Sequence, residues 1–547
     1  MNDTLLGLLE TRVHEGAESS VTFVEEERTL RLSELLDESR ATARGLISRG
    51  VAPGDRVAYI MQNGSGFLKA LFGAQYAHAV PVPLALPFGQ AGSDAYARHV
   101  SAILKDGGIT VLVVDSAMER VRQAMEQALP GICVVSLGDL VPPVGGAALP
   151  AGPVPADALA YIQYTSGSTS APKGVALTHG NVIAGLNAIA EPSAVTSEDR
   201  WGMWAPLFHD MGIFSVLTAL SVGADVILWH PRAAIRNPLE WLRRFVEEGC
   251  TLNSAPNFFL DALVTAVRSQ DDPPAPLDLS KWRLLYNGAE PVNVNSIEEF
   301  QKTFGPWGFR PQTMYPVYGM AEATLAVTFP VLGREPVVRW VDRESLLDGR
   351  FVPADEGAIG ARPLVSLGQA VPGVHVRISV DGRPAAERQA GEIEISGPAV
   401  TPGYFGRPPG DEHTADGWIR TGDMGVMDGG HLFIFGRLKD MVIVRGVNYY
   451  AEDVEAVVRD LPGVYRKRCA TLLESEHMAL VVETDLGDIA ERAALVAACR
   501  REIKLQIGIG DVVVYLAPPR FLPQTSSGKV QRNKLRRSLD ELTAIYP

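Results

Sequence analysis

Short apolar runs alternate with segments of helical periodicity in the first half of the chain, and this alternation constrains the fold most. The apolar runs are Val57–Met61, Val111–Val114, Ala160–Tyr164 and Asp225–Trp229, and the helical segments are Leu32–Ser48, His99–Lys105 and Leu239–Glu248. Apolar runs of four or five residues that alternate with helices are typical of buried strands joined by crossover helices. The sequence therefore predicts an α/β fold with parallel sheets.

The second half of the chain has a different pattern. Between residues 374 and 395, short β-type runs surround an Asp381-Gly382 turn, which predicts a small β-rich subdomain. Beyond Gly436 the chain becomes more charged, and its periodicity predicts helices near Glu452–Leu461 and Ile489–Ile507. We place the domain boundary at Lys439. Residues 1–438 then form a large N-terminal domain of parallel-sheet subdomains plus the β-rich subdomain, and residues 439–547 form a small, mobile α+β C-terminal domain.

Composition limits the class of protein. The 547 residues are 46% hydrophobic and 21% charged, which supplies enough apolar material for more than one core. The net charge of −14 argues against nucleic acid or an anionic membrane as the main partner. The four cysteines are scattered without CxxC pairs, so neither a disulfide framework nor a zinc site is indicated.

The most apolar stretch, Met211–Trp229, is interrupted by Asp225 and predicts buried core and no membrane span. Because the N-terminus lacks the pattern of a secretory signal, we expect a cytoplasmic protein.

A loop rich in glycine and hydroxyl residues follows the run Ala160–Tyr164. It contains Thr165-Ser-Gly-Ser-Thr-Ser-Ala-Pro-Lys173-Gly174. Small residues let backbone N–H groups converge on an anion, the hydroxyls add donors, and Lys173 adds a positive charge. The P-loop of nucleoside triphosphatases requires Ser or Thr after its lysine, whereas Gly174 stands here. The loop is therefore either a phosphate site of another kind or a solvated linker.

Seven further motifs follow this loop. They are Pro206-Leu-Phe-His-Asp-Met-Gly212, Asn287-Gly-Ala-Glu-Pro291, Tyr315-Pro-Val-Tyr-Gly-Met-Ala-Glu-Ala-Thr324, Arg420-Thr-Gly-Asp423, Gly436-Arg-Leu-Lys-Asp440, Val444-Arg-Gly-Val-Asn448 and Ser526-Ser-Gly-Lys-Val-Gln-Arg-Asn-Lys-Leu-Arg536. Together with the loop they resemble the signatures of the adenylate-forming superfamily, which comprises acyl-CoA synthetases, adenylation domains and luciferases. Any one string could arise by chance, but eight in the family's order make the resemblance specific.

The resemblance implies a site for ATP and magnesium. Glu322 would hold the metal ion, Asp423 would accept hydrogen bonds from the ribose hydroxyls, Arg437 would reinforce that contact, and Tyr318 would stack on adenine. Phosphate binding falls to Thr165, Ser166, Gly167, Ser168, Thr169 and Lys173. The other ATP-binding residues that the resemblance implies are Gly288, Ala289, Glu290, Gly319, Met320 and Ala321.

The resemblance also assigns the catalytic residues, which are Lys529, Glu322 and His209. Lys529 would bridge the substrate carboxylate and the α-phosphate, which need a positive charge between them as they meet. Lys439 stands at the family's hinge. After pyrophosphate leaves, rotation there would retract Lys529 and present the Arg445-Gly446 loop for a second half-reaction.

The motif around His209 indicates which kind of acid is activated. The resemblance places His209 at the mouth of an acyl pocket lined by Phe208, Met211, Gly212 and Phe214. Amino-acid-activating domains usually carry aspartate at the histidine position to pair with the substrate ammonium, so an α-amino acid is not indicated. Phe214 stands where the long-chain branch favours small residues, which predicts short, medium or aryl acids. The alternative is that Phe214 faces the protein core.

Within the superfamily, the chain resembles the fatty acyl-AMP ligase branch. An extra segment at Val337–Pro363 is similar to that branch's insertion, which accompanies transfer of the acyl group to the phosphopantetheine thiol of a separate acyl carrier protein instead of CoA. Its apolar residues predict a packed segment. The expected protein is a ligase of polyketide or nonribosomal peptide biosynthesis acting on a carboxylic acid. Alternatives are an acyl- or aryl-CoA ligase, a catalytically silent regulator, and a luciferase-type oxygenase.

Overall fold

The protein is described by a computed structural model that covers residues 4–87, 94–140, 147–165, 172–269, 275–444, 447–474, 477–524, 530–542 and 544–545. The strands, numbered along the chain, are β1 Ser20–Phe23, β2 Arg28–Arg31, β3 Arg56–Ile60, β4 Val80–Pro83, β5 Val111–Val114, β6 Cys133–Ser136, β7 Leu159–Thr165, β8 Lys173–Thr178, β9 Arg200–Met203, β10 Asp225–Leu228, β11 Leu252–Ala255, β12 Leu284–Asn287, β13 Met314–Pro316, β14 Tyr318–Gly319, β15 Ala326–Phe329, β16 Val338–Asp342, β17 Ala361–Val365, β18 Gln369–Ala370, β19 His375–Val380, β20 Arg383–Pro384, β21 Gly391–Ser396, β22 Gly403–Tyr404, β23 Ile419–Asp428, β24 His431–Arg437, β25 Met441–Val444, β26 Val447–Tyr450, β27 Cys469–Glu474, β28 His477–Glu483, β29 Val512–Ala517 and β30 Ala544–Ile545. The α-helices are α1 Leu8–His14, α2 Leu32–Ser48, α3 Ser65–Tyr76, α4 Asp94–Asp106, α5 Glu119–Ala128, α6 His179–Ala190, α7 Asp210–Val222, α8 Pro231–Arg236, α9 Pro238–Glu247, α10 Asn257–Arg268, α11 Val294–Phe304, α12 Arg343–Leu347, α13 Ala451–Val458, α14 Ile489–Ile507 and α15 Arg532–Ser538.

Two mainly parallel sheets form the bulk of the N-terminal part. One has seven strands in the order β13-β12-β11-β9-β10-β1-β2, in which only β1 and β2 are antiparallel neighbours. The other is fully parallel, with the order β4-β3-β5-β6. These sheets confirm the α/β prediction.

The most apolar stretch of the chain forms a buried helix and strand. Helix α7 begins after His209 and ends at Gly223, whose left-handed conformation (φ 76°) stops the helix and turns the chain into β10. Residues 212–220 of the helix are buried. The stretch is therefore core, as predicted. Among the described residues, no helix combines the length and the hydropathy that crossing a membrane requires.

Strand β7 corrects part of the fold prediction. The run Ala160–Tyr164 does form a strand, but it lies in an antiparallel sheet of order β22-β8-β7 and not in a parallel one. The reason is local. The strands are separated only by the residues between Thr165 and Lys173, which are too few for the crossover that a parallel pair requires.

The β-rich subdomain is a five-stranded antiparallel sheet of order β20-β19-β21-β23-β24. Asp381 and Gly382 both have positive φ (50° and 75°), as the tight turn of a β-hairpin requires. The extra segment forms β16, α12 and β17 and packs on this sheet. Its residues Val341, Leu346 and Phe351 are buried in one cluster with Phe433 of β24, so the segment is packed, as predicted.

The C-terminal part has a core of its own. Its main sheet has the order β27-β28-β29-β30, and a separate apolar cluster joins that sheet to α13 and α14. Lys439 lies in a single 3₁₀ turn, Leu438–Asp440, between β24 and β25. The small C-terminal domain that the sequence predicts is present, whereas its boundary and hinge at Lys439 stay a prediction.

Candidate active site

The β7–β8 hairpin brings together the two ends of the predicted phosphate loop. Thr165 is the cross-strand partner of Lys173, so both side chains start from the base of the loop. The Nζ atom of Lys173 lies 4.8 Å from the centre of the Tyr404 ring, within cation–π distance. Ser166, Gly167, Ser168 and Thr169 lie outside the described residues.

The base of this loop is braced by residues that the sequence reasoning missed. The Tyr164 hydroxyl donates to the Asp106 carboxylate at 2.8 Å. Arg407 donates to the Pro172 carbonyl at 2.6 Å and contacts the same carboxylate at 3.2 Å. The braces come from α4 and from the segment after β22, which no local pattern connects to the loop. These hydrogen bonds fix the residues before and after the phosphate loop, Tyr164 and Pro172.

Glu322 is linked to the phosphate loop through Tyr404. The Tyr404 hydroxyl donates to Glu322 Oε1 at 2.8 Å, and the Lys173 ammonium lies over the face of the Tyr404 ring. Burial raises the pKa of Glu322, and the hydrogen bond from Tyr404 partly offsets that rise. Tyr404 reaches this position because β22 pairs with β8, opposite Val175. One tyrosine thus contacts both a carboxylate and an ammonium group.

A second cluster surrounds Asp423, which is buried. Asp423 and Arg437 are cross-strand partners on β23 and β24, and the guanidinium donates to both carboxylate oxygens. The Tyr318 hydroxyl donates to Asp423 Oδ2 at 2.7 Å. Burial and the adjacent Asp423 carboxylate raise the pKa of Tyr318 well above its usual value. The structure therefore brings Tyr318 and Arg437, two predicted nucleotide-binding residues, to the carboxylate of a third, Asp423.

Residues 288–290 directly follow β12, and residues 319–321 come shortly after β13. Because β12 and β13 are parallel neighbours, the chain leaves the seven-stranded sheet at the same, carboxyl end before both segments. Gly288 and Gly319 are sterically required. A Cβ at Gly288 would come within 2.9 Å of Val317 Cγ2, and one at Gly319 within 2.1 Å of the Leu325 carbonyl oxygen. Glu290 Oε1 accepts a hydrogen bond from a backbone N–H in the first turn of α10. The two segments are completed by Ala289 (φ 68°), Met320 and the buried Ala321.

His209 and the predicted acyl-pocket residues lie at the start of α7. His209 precedes the helix, and its ring packs on Phe208 at 4.7 Å between ring centres. Glycine is required at position 212, because a Cβ there would lie 2.2 Å from the Pro206 carbonyl oxygen. Phe214 is fully buried edge-on to Tyr161 at 5.6 Å, and Met211 is half-buried. Whether these side chains line an acyl pocket stays a prediction.

Lys529 lies outside the described residues, but both ends of its loop are described. Gln524 and Val530 pair as an isolated antiparallel bridge, so the loop starts and ends at adjacent points. Two residues further on, Arg532 donates to Glu455 at 2.7 Å and to the Thr471 carbonyl at 3.0 Å. The side of the loop that follows Lys529 is therefore anchored to the C-terminal domain by a half-buried guanidinium.

The carboxylates of the candidate site can be compared with the ligands that a magnesium ion requires. In the part of the chain that the structure describes, no group of three or more His, Cys, Asp or Glu side chains could hold a metal ion. Magnesium usually binds through one or two carboxylates, with substrate phosphates and water as its other ligands. Glu322, close to the loop that carries Lys173, fits that kind of site.

Known proteins are similar to this chain over most of its length. Residues 9–405 match the family model of the AMP-binding enzymes. The chain is 34% identical to the long-chain-fatty-acid–AMP ligase FadD26 of Mycobacterium marinum, over 92% of this chain and 90% of that protein. It is 32% identical to the medium-chain-fatty-acid–[acyl-carrier-protein] ligase JamA of Moorena producens, over 97% and 94% of the two chains. A solved structure from a study of fatty acyl-adenylate ligases of E. coli and L. pneumophila superposes with a TM-score of 0.91 at 32% identity, over 98% of both chains.

The chain therefore belongs to the AMP-binding enzyme family. Its similarity to fatty-acid–AMP ligases confirms the branch that the motifs predicted.

Proposed function

We propose that this protein is an ATP-dependent ligase that converts a fatty or related carboxylic acid into acyl-AMP and transfers the acyl group to the phosphopantetheine thiol of an acyl carrier protein. The observation that carries the proposal is the pair of clusters at one site, Glu322–Tyr404–Lys173 and Tyr318–Asp423–Arg437. The similarity to a fatty-acid–AMP ligase and to an acyl-carrier-protein ligase supports the two half-reactions.

In the first half-reaction a carboxylate oxygen attacks the α-phosphorus of ATP, and the bond to pyrophosphate breaks. Asp423 would fix the ribose, and Lys173 would neutralise charge on the phosphates that leave. Glu322 would hold magnesium, which supplies further positive charge to those phosphates when it is bound. Lys529 would reduce the repulsion between the two anions as they meet.

In the second half-reaction the carrier thiol attacks the acyl carbonyl and AMP leaves. The insertion supports a carrier over CoA as acceptor because it is joined to the C-terminal domain. Arg343 of α12 and Arg362 of β17 both form ion pairs with Asp453 of α13, at 2.8 and 2.5 Å. A C-terminal domain held in this way has less freedom to reach the orientation that CoA would need.

The test is product identification by mass spectrometry. The purified protein, ATP and magnesium are incubated with carboxylic acids of increasing length, together with either CoA or a phosphopantetheinylated carrier protein. We expect acyl-AMP with several acids, acyl-carrier thioester with the carrier, and little acyl-CoA. Acyl-CoA formed as fast as acyl-AMP would instead establish a CoA ligase, and absence of any adenylate would exclude both.

Two variants link the products to the site. Glu322→Gln keeps the shape of the side chain but removes its charge, and it should suppress acyl-AMP formation. Glu335→Gln makes the same change at an exposed position and should leave product formation as in the wild type. Equal activity of the two variants would remove Glu322 from the proposed site.

A further inference from the structure

The carboxylate of Asp261 on α10 binds two cations of the C-terminal part of the chain. Its Oδ2 atom accepts a hydrogen bond from Arg459 at 2.6 Å, and its Oδ1 atom accepts one from Lys467 at 3.0 Å. The Lys467 ammonium also lies 2.9 Å from Asp460 Oδ1, and Asp460 Oδ2 accepts from the Asn295 amide of α11 at 2.9 Å. These five residues are called the Asp261 network below. The Asp261 side chain is 12% exposed, so solvent screens its contacts only in part.

The Asp261 network joins two parts of the chain that share no apolar core at this point. Helices α10 and α11 contribute Phe259, Leu263 and Phe300 to one apolar cluster, whereas α13 contributes Val454 and Val458 to another. Within the described residues, neither cluster contains a residue from the other part of the chain. A cavity of about 610 Å³ borders the network. Because the contact is polar and lies beside open space, it can break and form again without disrupting a packed core.

The segment that presents Lys467 to Asp261 has a strained backbone. Arg466 (φ 48°, ψ 36°) and Lys467 (φ 58°) are consecutive residues in the left-handed conformation. Residues other than glycine adopt this conformation rarely and singly, because Cβ comes too close to the following carbonyl oxygen. Backbone strain persists only where the surrounding contacts impose it. The ion pairs of Lys467 with Asp261 and Asp460 are contacts of that kind.

Helix α15, which follows Lys529 in the chain, lies close to the helix that braces the phosphate loop. Partial burial, and then the nearby Lys534 ammonium of α15, lower the pKa of His99 on α4. Helix α4 ends at Asp106, which accepts the hydrogen bond of the Tyr164 hydroxyl at the base of the phosphate loop. The C-terminal part is therefore oriented with α15 on the side of the phosphate loop, which suits the first half-reaction.

We propose that Asp261 is a positioning residue that holds the C-terminal domain in the orientation of the first half-reaction by imposing the strained conformation of Arg466 and Lys467. When the domain rotates for the second half-reaction, the ion pairs of Asp261 break and the strained segment relaxes. The relaxation offsets part of the free energy of the broken ion pairs, so the two orientations remain close in free energy. This inference rests on the proposed adenylation and transfer, and it assigns the residue that sets the balance between them.

The first test measures the two half-reactions separately. One assay follows acyl-AMP formation from ATP and the best acid of the product screen, and the other follows transfer from supplied acyl-AMP to a phosphopantetheinylated carrier protein. Asp261→Asn keeps the side-chain shape but removes its charge, and it should lower the ratio of the first rate to the second by about tenfold. Glu298→Gln is the matched control, because Glu298 is an exposed carboxylate that lines the same cavity. Its ratio should equal that of the wild type.

Two results of this test would overturn the inference. An equal fall of both rates in Asp261→Asn would indicate a general loss of structure, whereas retained transfer shows that the variant is folded. A ratio equal to that of Glu298→Gln would show that Asp261 does not act on orientation. Lys467→Met should act in the same direction as Asp261→Asn, and the double variant should fall no further than the stronger single variant, because both remove one link.

The second test changes the strain without touching Asp261. Arg466 is exposed, and its guanidinium lies over the ring of the adjacent Tyr465 at 5.4 Å. Arg466→Gly removes the steric cost of the left-handed conformation, whereas Arg466→Ala removes the same side chain but keeps Cβ. The glycine variant should therefore have a ratio of the first rate to the second about fivefold higher than the alanine variant. Equal ratios would show that the segment is not relaxed by rotation and would overturn the inference.

Hydrogen exchange separates this inference from the proposed function, because it requires no reaction. The Arg468 amide donates to the Tyr465 carbonyl at 3.0 Å across the strained segment. Asp261→Asn should speed exchange of this amide relative to both the wild type and Glu298→Gln. Unchanged exchange would overturn the inference whether or not the protein forms acyl-AMP. If no acid forms an adenylate while exchange rises as expected, the proposed function fails and the role of Asp261 in holding the segment stands.

Discussion

Replacing Asp453 should loosen the C-terminal domain from the insertion. Asp453 is 4% exposed, and it pairs with two arginines of the N-terminal part whose side chains are 8% and 12% exposed. Burial lowers the pKa of Arg362, and Asp453 is the main group that opposes this effect. The Asp453→Ala variant therefore leaves two buried guanidinium groups without their shared counter-charge.

The size of the effect follows from that burial. Guanidinium groups stay protonated in proteins, so neither arginine can escape the cost by losing a proton. Removing one partner of a buried ion pair typically costs about 3–5 kcal/mol. The cost should fall on the docking of α13, because Asp453 lies in that helix.

Native-state hydrogen exchange of the α13 amides measures this local loss, which a single unfolding curve of a multidomain protein does not isolate. Asp348→Ala is the matched control, since Asp348 pairs with Arg350 on the same insertion but both side chains are more than 60% exposed. Exposed pairs contribute about 0–1 kcal/mol, so the control should change little. The released C-terminal domain should also allow more acyl-CoA to form.

A rescue variant tests the reasoning directly. Adding Arg343→Met and Arg362→Met to Asp453→Ala removes the uncompensated charges and should restore much of the protection of α13. The reasoning is refuted if Asp453→Ala exchanges like the Asp348 control. It is also refuted if the two methionines bring no recovery, because the loss would then have another cause than unpaired charge.

Three further predictions concern catalysis and substrate length. Lys529→Ala should lower the rate of acyl-AMP formation by a factor on the order of 10²–10³ or more. Acyl transfer from supplied acyl-AMP should survive much better, because the lysine charge acts only when the carboxylate meets the phosphate. Equal loss in both assays would contradict a two-conformation mechanism. Arg532→Ala should give the same pattern with a smaller loss, since Arg532 anchors the chain that follows the lysine loop. Arg536→Ala, at an exposed position on the same helix, is its control, and equal effects would exclude a positioning role. Phe214→Gly should shift the preferred acid towards longer chains. Each additional methylene should contribute about 1–3 kcal/mol at most to the discrimination between acids. An unchanged chain-length optimum would show that Phe214 belongs only to the protein core.

Local sequence features determined the types of element and the family. Helix α2 and helix α14 have the bounds that their periodicity predicted, Leu32–Ser48 and Ile489–Ile507, because helical periodicity is a property of neighbouring residues. The eight motifs identified the family because their order along the chain is itself a sequence property. Turn chemistry was also readable, since Asp381-Gly382 forms the hairpin turn that it predicts.

Only the tertiary structure decided which distant side chains meet. Tyr404 contacts Glu322 across 82 positions of sequence, and Arg459, directly after α13, contacts Asp261 of α10 across 198 positions. The pairing of β7 with β8 and the ion pairs of Asp453 with Arg343 and Arg362 are contacts of the same kind. Such contacts depend on how whole sheets and helices pack, and no periodicity within one segment encodes the neighbour that another segment supplies. The sequence alone therefore determined the elements and the family, and packing determined how the candidate site is held together.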